Sequence, residues 1–145
     1  MKIWKIGGQY LGKIYGRDLM NTKFYQGVEV IVPVPLHPKR KRKRGYNQSE
    51  WIALGLSESM KIPLDTKTLI RATASESQTK KSRFMRWENV KEIFVVRDLK
   101  SLENKHILLV DDVLTTGATM ESCAAELLKI RGVKISVVAL ACSAK

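Results

Sequence analysis

Residues 107–119, ILLVDDVLTTGAT, constrain the fold more than any other part of the sequence. An apolar run leads into two adjacent acids, Asp111 and Asp112, and a Thr-Thr-Gly-Ala-Thr turn then precedes an amphipathic helix. Continuous apolar runs of this kind are typical of buried strands in parallel α/β sheets. Such sheets bind ligands beyond the carboxyl ends of their strands. The segment therefore predicts a ligand site at a strand–turn–helix junction.

The turn at residues 115–119 has the composition of an anion-binding loop. Its members are Thr115, Thr116, Gly117, Ala118 and Thr119. Glycine permits close approach of the backbone, and the free N–H groups of a helix start attract negative charge. A phosphate bound there would leave Asp111 and Asp112 placed to accept hydrogen bonds from sugar hydroxyls. The alternative is a structural turn whose two acids cap the helix. The segment contains neither a P-loop nor a GxGxxG pattern.

Periodicity and turn residues predict the remaining elements of an α/β fold. Strands are predicted at 28–34, 66–70, 93–96, 106–110 and 133–141, and helices at about 9–20, 47–61 and 119–131. Residues 36–45 are predicted to form a loop, and the polar residues 71–83 are predicted to form a long mobile loop. Strand, helix and strand alternate in the C-terminal half, which indicates a parallel sheet flanked by helices. We expect one domain over residues 1–145.

Composition narrows the classes of partner. The net charge is +12, and such an excess favours an anionic ligand such as nucleic acid or phosphate. No apolar run approaches the roughly 20 residues of a membrane helix, and the N-terminal residues lack the apolar core of a signal peptide, so a cytoplasmic protein without membrane contact is expected. The two cysteines, Cys123 and Cys142, form no CxxC pair, so no zinc is expected in this chain.

Residues 107–119 resemble the phosphoribosyl pyrophosphate (PRPP) signature of type I phosphoribosyltransferases. The resemblance implies a Rossmann-like parallel sheet flanked by helices, with a mobile lid loop. It also implies that Asp111 and Asp112 bind the ribose hydroxyls of PRPP and that residues 115–119 bind its 5′-phosphate. Mg²⁺ is implied with PRPP, and no residue of the chain is assigned as a direct metal ligand.

Residues 32–49, VPVPLHPKRKRKRGYNQS, resemble the competence-associated ComF family, which is similar to the phosphoribosyl domain of amidophosphoribosyltransferase. The resemblance continues through a central stretch at Thr73, Gln78, Arg86, Asn89, Val90 and Phe94. Members of the family usually carry an N-terminal cysteine-rich zinc ribbon. This sequence begins about where that ribbon would end, so the ribbon was lost or the sequence is shortened.

The resemblance also implies where the pyrophosphate of PRPP is held. By position, the pyrophosphate loop comprises Pro35, Leu36, His37, Pro38 and Lys39. The basic run continues through Arg40, Lys41, Arg42, Lys43 and Arg44, and its charge exceeds what one pyrophosphate requires. These cations are candidates for nucleic-acid contact, because phosphate neutralisation gives sequence-independent affinity. A solvated basic loop is the third interpretation.

The predicted mobile loop has the composition of an active-site lid. Its cations, Lys80, Lys81 and Arg83, are predicted to reach the pyrophosphate when the loop closes. An inert surface loop is the alternative.

Two functions follow from these features. The first is a phosphoribosyltransferase that displaces pyrophosphate from C1 of PRPP; its acceptor and its catalytic residues are unassigned. The second is a non-catalytic adaptor of DNA uptake that binds single-stranded DNA or a helicase partner. A homodimer is left open as the assembly.

Overall fold

The computed structural model describes residues 2–72 and 93–143. The helices are α1 (Lys2–Met20), α2 (Pro38–Arg44), α3 (Gln48–Met60) and α4 (Ala118–Leu127), and the strands are β1 (Val30–Pro33), β2 (Leu69–Ala72), β3 (Ile93–Val96), β4 (His106–Leu114) and β5 (Lys134–Cys142). Short 3₁₀ helices lie at Lys23–Tyr25 and Lys100–Leu102.

A parallel sheet forms the centre of the fold. Its strand order is β1-β4-β5, so β4, which carries the two acids, is the central strand. Both neighbours pair with β4 in parallel register. A parallel bridge between Ile31 and Leu64 adds a short extended segment on the far side of β1. The predicted parallel α/β sheet is therefore confirmed.

The sheet is covered on both faces because its strands alternate between two apolar cores. In β4, Ile107 and Leu109 pack on one face of the sheet against α4 and against strands β2 and β3, which pair with each other. The intervening residues Leu108 and Val110 pack with α1 and α3 on the other face. All four side chains are completely buried. Strands buried on both faces need apolar residues at every position, which explains the continuous run in the sequence.

Strands β2 and β3 form a separate antiparallel pair in which Leu69 lies opposite Val96 and Ala72 lies opposite Ile93. The strand predicted at 66–70 therefore lies later than expected, and Arg71, predicted to begin the mobile loop, belongs to it. The segment between the two strands lies outside the described residues. The predicted lid cations Lys80, Lys81 and Arg83 lie there and stay a prediction.

The prediction of a loop at residues 36–45 is wrong, because most of this segment forms α2. Lysine and arginine are good helix formers, and the ends of this segment carry clear boundary signals. Pro38 occupies the first turn, and the Nδ1 atom of His37 accepts a hydrogen bond from the Lys39 N–H at 3.2 Å. Gly45 ends the helix in the left-handed conformation, with φ of 77°. An ion pair from Lys41 to Glu50, at 2.7 Å, offsets part of the repulsion within the run.

Helix α1 begins at Lys2 rather than near residue 9, and its glycines explain the difference. A β-carbon added at Gly12 would overlap the backbone of Ile52 and Gly55 in α3. Gly8 and Gly16 also lie against α3. The low helix propensity of glycine is therefore offset by close packing of the two helices.

The close packing predicts opposite effects for two glycine substitutions in one helix. Gly12→Ala is expected to lower the free energy of unfolding by about 1–3 kcal/mol, because the new methyl group has no space. Gly7→Ala is the matched control, because no atom of residues 2–72 or 93–143 outside the immediate helix backbone lies within 4 Å of the position where its β-carbon would be. That control should gain about 0.5–1 kcal/mol from helix propensity. Urea denaturation of dilute protein measures both, and equal effects would contradict the packing.

Among the described residues, no helix has the length and apolar character that crossing a membrane requires.

Candidate functional site

A cavity of about 300 Å³ opens at the carboxyl ends of β1 and β4. It is lined by Val34, Pro35, Leu36, Arg40, Arg44, Asn47, Gln48, Ser49, Arg71, Asp111, Asp112 and Thr119. These residues come from segments that are far apart in the sequence: the end of β1, helix α2, the start of α3, strand β2 and the junction of β4 with α4. The fold thus brings the two acids, part of the basic run and part of the Gly-Thr turn to one place.

The two acids lie within β4 rather than after it, because the strand continues to Leu114. The Oδ1 atom of Asp111 accepts two hydrogen bonds at 2.9 Å, one from the Ser49 hydroxyl and one from the Asp112 N–H. Burial raises the pKa of Asp111 above its ordinary value, and these two donors oppose the rise. The Asp111 carboxyl group is therefore fixed in orientation at the edge of the cavity.

Three arginines lie in the cavity lining with the acids, and we call them the arginine wall: Arg40, Arg44 and Arg71. Arg40 and Arg44 are one turn apart on α2, so they share a helix face. Arg71 comes from β2, and its guanidinium lies 5.3 Å from the centre of the Phe94 ring. Burial lowers the pKa of Arg71, and the positive charge of Arg40 lowers it further. Such a concentration of positive charge favours a ligand with several negative charges.

The Gly-Thr turn leads directly into α4. Gly117 is the N-cap residue, with φ of 81°, a conformation that favours glycine. Thr116 Oγ1 accepts a hydrogen bond of 3.4 Å from the Ala118 N–H. A small hollow of about 30 Å³ is lined by Asp111, Val113, Leu114, Thr115, Gly117, Ala118, Thr119 and Met120. Because it shares Asp111 and Thr119 with the larger cavity, the turn and the acids adjoin one another.

The structure divides the basic segment differently from the sequence prediction. Of the predicted pyrophosphate loop, Pro35 and Leu36 line the cavity. His37, Pro38 and Lys39 are outside the lining, and His37 caps α2 instead. Of the predicted nucleic-acid group, Arg40 and Arg44 line the cavity, whereas Lys41, Arg42 and Lys43 do not.

Sequence reasoning did not assign Asn47, Gln48, Ser49 or Arg71 to the site. Asn47 is buried; its side chain donates to the Val34 carbonyl at 3.0 Å and accepts from the Ser49 N–H at 3.2 Å. Asn47 therefore links the start of α3 to the end of β1 and sets the position of Ser49. The available signal was the polar sequence Asn-Gln-Ser directly after the basic run.

The described residues contain no cluster of three or more His, Cys, Asp or Glu side chains that could hold a metal ion. Two adjacent carboxylates at a cavity fit Mg²⁺ only where substrate and water oxygens complete its coordination, which is its usual mode with phosphate ligands.

Comparison with protein families agrees with this geometry. The family described as "Phosphoribosyl transferase domain" matches residues 24–145, which is most of the chain. The chain belongs to this family. It is also 33% identical over 126 residues to Competence protein F of Haemophilus influenzae, covering 86% of this chain and 55% of that protein. DNA utilization protein YhgH of Escherichia coli K12 is 33% identical over 122 residues, covering 82% of this chain and 53% of that protein.

A third relative, Competence protein ComFC of Bacillus subtilis, is 36% identical over 100 residues, covering 69% of this chain and 38% of that protein. The resemblance to the ComF family is therefore confirmed. The chain spans about half the length of the first two of these relatives.

Solved structures support the fold. The PRPP amidotransferase of B. subtilis, complexed with ADP and GMP, superposes with a TM-score of 0.61 at 20% identity, covering 91% of this chain and 25% of that one. A purine phosphoribosyltransferase from Pyrococcus horikoshii superposes with a TM-score of 0.55 at 19% identity, covering 98% of this chain and 75% of that one. A hypothetical protein from Neisseria gonorrhoeae with bound ppGpp superposes with a TM-score of 0.59 at 20% identity, covering 95% of this chain and 68% of that one. The type I phosphoribosyltransferase-like fold is thus confirmed.

Proposed function

We propose that the cavity binds PRPP. The ribose hydroxyls of PRPP donate hydrogen bonds to Asp111 and Asp112. The 5′-phosphate of PRPP lies at residues 115–119, and its pyrophosphate faces Arg40 and Arg44. The observation that carries this proposal is the single cavity in which two carboxylates and three arginines meet beside a helix-initiating turn. A ligand with a hydroxylated sugar and two separate phosphate groups matches that distribution of charge.

Mg²⁺ belongs to the same proposal as a companion of the substrate. When bound, it neutralises part of the pyrophosphate charge. The carboxylates of Asp111 and Asp112 would contact it directly or through water, and most of its ligands would be oxygens of PRPP and water.

The reaction proposed for this site transfers the phosphoribosyl group to an acceptor. The bond from C1 to the pyrophosphate oxygen breaks, the oxygen keeps the electron pair, and the acceptor forms the new bond to C1. The acids hold the ribose in place while the arginine wall stabilises the charge that develops on the leaving group. The chemical class of the acceptor and any general base are outside this proposal, and the lid cations stay a prediction.

Calorimetric titration with PRPP and Mg²⁺ tests the binding step. Asp111→Asn and Asp112→Asn are each expected to weaken binding by about 3- to 10-fold, because the amide oxygen still accepts a hydrogen bond but lacks the charge that supplies about half of the 1.5–3 kcal/mol of a charge-assisted bond. Asp18→Asn is the control, because Asp18 is an exposed acid on α1 outside the cavity lining. Equal affinity in all three variants would contradict the ribose assignment. A pyrophosphate-release assay over candidate bases and amines then tests turnover.

A second function is supported by the cations of α2 that lie outside the cavity lining. These are Lys39, Lys41, Arg42 and Lys43, and all of them are exposed. Nearby, the ammonium group of Lys5 lies 5.8 Å from the ring centre of Tyr46. Exposed cations suit the phosphate backbone of single-stranded nucleic acid, and Tyr46 follows α2 closely in the chain. In this alternative the protein is a non-catalytic adaptor of DNA uptake, and its partner is single-stranded DNA or a helicase. The names of the curated relatives refer to competence and DNA utilization, which supports this alternative.

A further inference from the structure

Helix α1 carries contact residues on two opposite faces. One face, with Gly8, Gly12 and Gly16, packs against α3. From residue 3 to residue 14 the opposite face is apolar and open to solvent, and we call its six large side chains the α1 stripe. They are Ile3 (81% exposed), Trp4 (74%), Ile6 (66%), Tyr10 (64%), Leu11 (51%) and Ile14 (41%). An amphipathic helix of a soluble protein normally has one apolar face, which points to the core.

The size of the α1 stripe matches a specific interface. Six large side chains with these exposures present on the order of 800 Å² of mainly apolar surface. The largest patch on an ordinary monomer is about 300–600 Å². A standard protein interface buries about 800 Å² on each partner.

The six side chains of the stripe carry no charge, and the exposed Arg17 and Asp18 on the same side of α1 lie beyond its C-terminal end. Lys5 extends instead toward Tyr46, and the Lys13 ammonium group is paired with Glu58 at 2.7 Å, both away from the stripe. Nucleic acid or an acidic protein would need cations in the contact surface. The composition therefore favours another apolar surface of similar size.

We propose that the α1 stripe of a second copy of this chain is that surface. In an antiparallel pair of α1 helices related by a two-fold axis, a residue i faces residue 17 − i of the other copy. Ile3 then faces Ile14, Ile6 faces Leu11, and Tyr10 faces Gly7. The last pairing places a large ring against the residue of this face that has no side chain, and among the described residues nothing lies within 4 Å of a β-carbon built at Gly7. Two-fold symmetry forms each of these contacts twice.

This pairing is independent of PRPP binding, because none of the stripe residues lines the cavity. It also predicts an unusual response to salt. Each copy carries a net charge of +12, so screening of the mutual repulsion should tighten the dimer as salt is added. An electrostatically driven complex would weaken instead.

Analytical ultracentrifugation of the 145-residue chain tests the pairing. The unsubstituted chain is expected to form dimers at micromolar concentration, more tightly at high salt. Tyr10→Glu is expected to raise the dissociation constant about 30-fold or more, the size of an interface hot spot. Phe24→Glu is the matched control, because Phe24 is 85% exposed but lies outside α1. A chain that stays monomeric throughout, or equal effects of the two variants, would overturn the proposal.

Disulfide trapping tests the antiparallel orientation. Cys142 is exposed and Cys123 is buried, so Cys142→Ser is the background. In that background, Ile3→Cys combined with Ile14→Cys is expected to form a covalent dimer on mild oxidation. Ile3→Cys alone should not, because the two copies of position 3 would be about 16 Å apart along the helix axis at 1.5 Å per residue. Cross-linking of the single variant would indicate parallel helices and overturn the register. A monomeric chain that binds anionic vesicles through Tyr10 would overturn the dimer itself.

Discussion

Replacement of Arg40 and Arg44 by alanine is expected to weaken binding of PRPP with Mg²⁺ by about 100-fold or more. In the proposed complex each guanidinium forms charge-assisted hydrogen bonds to the pyrophosphate, and one such bond contributes about 1.5–3 kcal/mol. Both side chains are exposed on a surface helix, so the free energy of unfolding should change little. Isothermal titration calorimetry measures the affinity, and urea denaturation measures the stability.

The matched control removes two positive charges from the same helix at Lys39 and Lys43, which lie outside the cavity lining. The Lys39→Ala/Lys43→Ala variant should keep PRPP affinity within a few fold. If the adaptor function is real, the same variant should reduce the salt slope of single-stranded DNA binding by about 1.4, or 0.7 per phosphate contact. Equal losses of PRPP affinity in the two double variants would mean that net charge, and not contact by the arginine wall, attracts the ligand. Failure of the unsubstituted chain to bind DNA at about 50 mM salt would remove the main support for the adaptor.

The sequence was sufficient to predict the local structure of the part of the candidate site whose residues are consecutive in the chain. A buried parallel strand, two acids and a Gly-Thr turn are consecutive in the chain, so the pattern predicts both the β4–α4 junction and the place where a ligand can bind. The strand's extension to Leu114 was not predicted, because Asp111 and Asp112 lower β propensity. Pairing with β5, where Asp111 lies opposite Ala139, outweighs that preference.

The arginine wall could not be predicted in the same way, because it depends on tertiary structure. Arg71 reaches the cavity through the pairing of β2 with β3, in which it lies opposite Phe94, 23 positions later in the chain. Nothing local to Arg71 indicates that contact. For Arg40 and Arg44 the missing step was the helix. A run of six cations has no apolar periodicity, so its division between a cavity face and a solvent face appears only once Pro38 and Gly45 are taken as the boundaries of a helix.

Replacement of Thr116 and Thr119 by glutamate is expected to abolish measurable binding of PRPP and of a nucleoside 5′-monophosphate, with a loss of at least about 100-fold. Each carboxylate would place negative charge at the proposed 5′-phosphate position, where hydroxyl donors are now present. The same substitutions should not destabilise the fold, because an acid near a helix N-terminus stabilises it by about 0.3–1 kcal/mol. Stability and ligand affinity should therefore change in opposite directions, which distinguishes a lost phosphate site from general unfolding.

Two controls make the assignment of the 5′-phosphate specific. Thr119→Gln introduces a side chain of similar size to glutamate without charge, so it should lose much less affinity than Thr119→Glu. Inorganic pyrophosphate should still bind to the double glutamate variant with Mg²⁺, because its proposed contacts are with Arg40 and Arg44, which do not line the hollow at the turn. If that variant bound PRPP as tightly as the unsubstituted chain, residues 115–119 would not be the phosphate site. If it lost pyrophosphate equally, the two phosphate positions proposed for this cavity would be indistinguishable and their assignment wrong.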